Sequence, residues 1–171
     1  MRTEKQRELV ESLLEPLDPS ARDVYMELIS HLSGMGYSPK KQRAAIVFTC
    51  KEHNKQLVKI GHDKKGELYF ALRFSACKGY SERFGEIVKK VLGGENYKAP
   101  GCMENGEDFC KGPIEQRLYT YELPDGSKRY YCGAKALAIP DISREDIPEI
   151  ERLMEEEHRF LMKYEAAGKD L

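Results

Sequence analysis

The sequence predicts an α+β fold: a mainly antiparallel sheet of about five strands with helices packed on one face, in the order ααβββα-loop-ββα. Three observations predict it. Leu68, Phe70, Leu72 and Phe74 share one face of a period-two repeat, with Tyr69, Ala71 and Arg73 on the other. Phe84, Ile87, Val88, Val91 and Leu92 then recur at the helical spacing of three and four residues. Short polar links separate the strand-like runs before Leu68, and links that short require antiparallel pairing.

The elements follow in order. Leu9, Val10, Leu13, Leu14 and Leu17 form one apolar stripe that ends near Pro16. Asp18-Pro19 supplies a capping side chain and a proline at the first helical position, where its missing N–H is no loss. Val24, Tyr25, Leu28, Ile29 and Leu32 make a second stripe, closed by Gly34 and Gly36, so residues 4–34 read as a helical hairpin. Residues 44–51 and 56–62 read as strands, and 67–74 as the strand at the centre of the sheet, with Asp63–Gly66 a turn. A helix over 81–92 packs beside that strand. Residues 93–113, rich in glycine and cysteine, have neither period and read as a long loop. Residues 114–139 form a hairpin turning at Pro124-Asp125-Gly126-Ser127, with a bulge expected at Gly133. A helix over 146–166 closes the chain, with Asp146 and Glu149 spaced as a capping box and Ile147, Ile150, Leu153, Met154, Phe160, Leu161 and Tyr164 on one face. All of this fits a single domain over residues 1–171.

Composition narrows the function. With 40% hydrophobic and 33% charged residues, the chain suits a globular protein with a solvated surface. A formal net charge of −1 excludes a general attraction to nucleic acid or anionic membrane, leaving only local patches. No run approaches the roughly 18 apolar residues of a membrane span. The charged start, Met1-Arg2-Thr3-Glu4-Lys5, lacks the apolar stretch of a secretory signal, so a cytoplasmic location is expected. Five cysteines in a reducing compartment read as thiols or metal ligands rather than disulfides.

Three groups of residues carry candidate chemistry. Cys77, Cys102, Cys110 and Cys132 could supply four thiolates to a structural zinc ion, clipping the long loop, although the Cys-x-x-Cys knuckle is absent. Cys50, in line with Ile46 and Phe48, reads as a buried small hydrophobe. Lys40, Lys41, Arg43, Lys51, Lys55, Lys59, Lys64 and Lys65 make the first strand pair locally basic. Lysines also blunt sheet edges, and no aromatics are interleaved with them to stack bases. Tyr119, Tyr121, Tyr130 and Tyr131 enrich the last hairpin, offering apolar walls with hydroxyl tips, though tyrosine also suits any half-buried strand. Arg73, a charge in an otherwise apolar strand, needs a partner or an opening to water.

No nucleophile, metalloprotease or nucleotide-loop motif is present, and the histidines at 31, 53, 62 and 158 fall in different elements. The carboxylates Glu155-Glu156-Glu157 read as a solvated helix face. The expectation is therefore a non-enzymatic cytosolic binding domain. It would recognise a small molecule or a protein partner on the open sheet face, through Arg73, Tyr119, Tyr121 and Tyr131. A zinc-stabilised module and a nucleic-acid-binding module using the basic strand pair are its rivals.

Overall fold

A computed structural model describes residues 3–95, 97–101 and 118–168. Helices α1 (Glu4–Leu14) and α2 (Pro19–Gly34) lead into strands β1 (Tyr37–Gln42), β2 (Ala45–Cys50), β3 (Gln56–His62) and β4 (Leu68–Leu72). Helix α3 (Glu82–Leu92), strands β5 (Leu118–Glu122), β6 (Lys128–Cys132) and β7 (Leu137–Ile139), and helix α4 (Ile147–Gly168) complete the order. The main sheet has five strands in the order β1-β2-β3-β4-β7, every pair antiparallel, and β5-β6 form a separate two-stranded sheet. The fold is α+β, as the periodicities predict. No helix among the described residues is long and apolar enough to cross a membrane.

Local chemistry explains the ends of these elements. Thr3 and Gln6 form a reciprocal capping box at α1. Asp18 accepts from the amides of Ser20 and Ala21 at α2, ahead of Pro19. Asp63 Oδ1 accepts from the amides of Lys65 and Glu67, and Gly66 at φ +83° closes the turn between β3 and β4.

The differences from expectation are also physical. Strand β1 contains Pro39 and two lysines and reads as polar linker. It is an edge strand, the one place in a sheet where a proline and a lysine run are at home. The middle position belongs to β3, with β4 between β3 and β7. Residues 128–139 are not one strand: a turn after Cys132, closed by the Lys135 amide on the Cys132 carbonyl, replaces the expected bulge at Gly133. The chain thereby leaves the hairpin and enters the main sheet as β7, pairing Leu137 with Leu72 and Ile139 with Phe70. At α4 the capping box is Ser143 with Asp146, on a 3₁₀ turn ahead of the helix. Glu149 instead accepts from the amide of Ser81, at the start of α3, at 2.6 Å.

Register assigns the two faces. Tyr37, Ile46, Phe48, Cys50, Val58, Ile60, Phe70, Leu72, Leu137 and Ile139 point to one side and join the core cluster with residues from all four helices. Tyr25 of α2 meets Phe70 edge-to-face at 6.1 Å. Phe70, Leu72 and Phe74 are fully buried and Leu68 half-buried on this side. A register shift between Phe48 and Thr49 leaves Leu57 as an extra residue in β3, which lets the neighbours Leu57 and Val58 both be buried. The opposite face carries Ser38, Lys40, Gln42, Ala45, Val47, Thr49, Lys59, Gly61, Tyr69, Ala71 and Ala138. Its buried members, Ala45, Val47, Gly61 and Ala71, stand outside the core cluster, so this is the open face.

Candidate functional site

Two places concentrate polar chemistry, at opposite ends of the strands. The first lies where β1 begins and β2 and β4 end, beneath α4. There the Lys55 amide donates to His53 Nδ1 at 3.1 Å, which puts the ring proton on Nε2. That nitrogen meets Tyr37 Oη at 3.0 Å, so the phenol directs its own proton to His158 Nδ1 at 3.1 Å. The result is a directional chain: amide, imidazole, phenol, imidazole. His53 is 2% exposed, whereas His158 is half-buried and links the chain to solvent. Burial holds the Tyr37 phenol well above its ordinary value and the His158 imidazole below its own.

Beside this chain, Glu157 of α4 is fully buried and accepts three hydrogen bonds. Arg73 Nε donates at 2.6 Å and Ser75 Oγ at 3.2 Å to one oxygen, and the Ala76 amide at 2.8 Å to the other. The Arg73 bond is also an ion pair. Burial raises the Glu157 carboxyl, and Arg73 opposes that rise. The Cys50 thiol donates to the Glu52 carboxylate, and burial and that bond both raise the thiol.

The second place is a hollow of about 400 Å³ on the open face, lined by Gln42, Arg43, Ala44, Ala45, Lys59, His62 and Tyr69. The turn from β1 to β2 forms one wall, with Arg43 at φ +55°. Gly61 is the register partner of Tyr69, and a Cβ there would stand 2.7 Å from the Ala45 Cβ and 3.1 Å from the Tyr69 hydroxyl, so the bare glycine makes room for Ala45 on the neighbouring strand and for the tip of Tyr69. No carboxylate among the described residues lines the hollow. Among the described residues, the side chains of Arg43, Lys59 and His62 make no hydrogen bond or ion pair. Other arginines are engaged, Arg83 with Asp146, Arg152 with Glu156, and Arg129 with the Leu92 carbonyl and the Tyr97 ring, whereas Arg7, Arg22 and Arg159, outside the hollow, have no side-chain partner among the described residues.

The residues singled out in the sequence are distributed between these places and the hairpin. Arg73 is 9% exposed and turned toward α4. Tyr119 is 2% exposed; its hydroxyl accepts from the Phe74 amide at 2.9 Å, tying β5 to the end of β4. Tyr121 and Tyr131 are half-buried on the hairpin, and the Lys135 ammonium lies 5.1 Å from the Tyr131 ring centre. Cys77 is buried, with its thiol donating to the Leu153 carbonyl at 3.4 Å and raised by burial. Cys132 is half-exposed opposite Leu118. Cys102 and Cys110 lie outside the described residues. Among the described residues, no group of three or more histidine, cysteine or acidic side chains is placed to hold a metal ion.

The basic strip is divided by the fold. Lys40 and Lys59 flank Val47 on the open face, Arg43 sits at the hollow, and Lys51 and Lys55 fall at the far strand end. Sequence reasoning missed Tyr37, His53, Glu157 and His158 as one group. One signal was available: Glu157 occupies the stripe Ile150, Leu153, Met154, Leu161, the core side of the helix. Tyr69, read only as the reverse of an apolar strand, is the aromatic that the basic strip lacks in sequence. No family model, curated protein or solved structure matches this chain.

Proposed function

We propose that this protein is a binding domain that takes a small anionic ligand into the hollow beside Tyr69 on the open face of its sheet. One observation carries the reading: Arg43 and Lys59 line a concavity with no carboxylate in its wall, and neither has a partner among the described residues. Cations that do nothing for the fold, at a concave surface with a few convergent polar groups, are what an anion-binding site requires. The contacts expected from sequence at Arg73 and Tyr119 move to Arg43, Lys59 and Tyr69, because the first two spend their polar groups inside the molecule.

Thermal unfolding against a library of small anions and neutral analogues tests this. A ligand at one hundred times its Kd raises stability by about 2.7 kcal/mol, a readily measured shift in Tm. Anions should raise Tm in the parent and not in an Arg43→Gln, Lys59→Gln double variant. A library that stabilises both proteins equally would place binding elsewhere.

A further inference from the structure

Resting on that reading, we infer that the hollow's ligand class is a phosphate monoester attached to a flat ring, as in a nucleoside monophosphate. The charge count comes first. Arg43 and Lys59 bring two positive charges to a wall that holds no carboxylate among the described residues. A carboxylate ligand would balance one of them; a phosphate monoester, with a charge of about −1.5 to −2 at neutral pH, balances both. The donors match the same group. Guanidinium and ammonium are donors only, and the Gln42 amide, on the same face of the sheet, adds N–H groups, suiting an acceptor with three oxygens.

The lining supplies the second half. Ala44 and Ala45, which line the hollow with Tyr69, carry only a methyl group each and leave the ring's surroundings unobstructed by large side chains. The half-buried Tyr69 lines the hollow and offers a π surface for stacking. A hollow of about 400 Å³ is of the size that holds a small ligand with one ring system and one phosphate. A nucleic-acid strand fits less well. The lysines of the strip are split between the two ends of the strands, Tyr69 is the one aromatic on this face among the described residues, and the chain's net charge is −1.

Calorimetric titration of the full chain tests the inference with adenosine, guanosine and uridine 5′-monophosphates, phenyl phosphate, adenosine, ribose 5-phosphate, inorganic phosphate and a ten-residue oligonucleotide. Ring-bearing phosphates should bind at least about tenfold tighter than either half alone, an increment of about 1.4 kcal/mol. Tyr69→Leu should bring them down to the affinity of ribose 5-phosphate while leaving that compound unchanged. The Arg43→Gln, Lys59→Gln variant should bring them down to the affinity of adenosine. Equal binding of ribose 5-phosphate and the nucleotides would overturn the ring and leave the anion site standing. Silence from every phosphate, with another anion from the library active, would overturn the phosphate alone. An oligonucleotide that outcompetes all monomers, with a steep salt dependence, would overturn the small-ligand assignment in favour of a strand.

Discussion

The two polar places on this sheet treat charge in opposite ways. At the strand end beneath α4, Arg73 and Glu157 are both buried and bonded to each other, and the Tyr37 phenol is held between two imidazoles. At the other end, Arg43 and Lys59 face a hollow with no partner among the described residues. A buried charge must be paired or the chain would not fold around it; a solvated cation need not be. The first arrangement is thus answerable to stability. The second carries no such obligation, as the proposed binding site requires, and the comparison can be broken by showing that either end behaves like the other.

The largest effect is expected from Glu157→Ala. It strands the Arg73 guanidinium and removes the acceptor for Ser75 Oγ and the Ala76 amide, all from a fully buried position. Losing one partner of a buried pair destabilises by about 3–5 kcal/mol. Urea unfolding measures this, and an Arg73→Met, Glu157→Met double variant should recover most of the loss, because neither charge is then left alone. A loss below about 1 kcal/mol for the single variant, the range of a surface ion pair, would mean that the strand end is no sealed unit.

A smaller effect is expected from Tyr37→Phe. The ring still fills its place against His53 and His158, at centroid separations of 5.7 and 5.5 Å. Without the hydroxyl, His53 Nε2–H and His158 Nδ1 each lose a partner, and an unsatisfied buried polar group costs about 1–3 kcal/mol. The same urea series measures it, and a variant as stable as the parent would show that the chain of donors contributes nothing.

His158 adds a dependence on pH whose sign is fixed. Burial holds its imidazole below the ordinary value of 6.5, with Glu52 partly offsetting that. As pH falls through 6.5 the unfolded chain takes up a proton that the folded chain resists, so folding stability declines until the folded value is reached. The urea midpoint of the parent should therefore fall more between pH 7.5 and 5.5 than that of His158→Gln. The difference between the two proteins is the readout, because Glu157, raised by burial, acts with the opposite sign in both. Parallel pH profiles would remove His158 from the buried chain.

How much of this was legible in the sequence follows the same division. The sheet and its cover were, because alternation at Leu68–Leu72 and the stripes of α2 and α3 repeat over enough residues to be unambiguous. Strand β1 was not, because an edge strand needs neither an apolar face nor freedom from proline. The division of residues 128–139 between two sheets was hidden by continuous β propensity on both sides of the turn. The buried polar end could not be read by adjacency, since Tyr37 and His158 stand 121 positions apart. Only Glu157, a carboxylate in register with a core stripe, marked it. The hollow needed register: Tyr69 and Gly61 are unremarkable until pairing sets them side by side.

The sharpest test of the comparison asks for the smallest change. Arg43 is exposed and Lys59 half-buried, and neither makes an ion pair among the described residues. Replacing each by glutamine keeps most of the side-chain stem and removes only the charge, so the methylenes beside Val47 and Ala71, the register partners of Lys59, stay in place. Surface substitutions of this kind change stability by no more than about 0.5 kcal/mol. Arg43→Gln and Lys59→Gln should therefore leave the urea midpoint where it is, whereas Glu157→Ala moves it far. If either glutamine variant destabilises the chain by more than about 1 kcal/mol, its cation is holding the fold together, and the hollow is architecture in the same sense as the buried end.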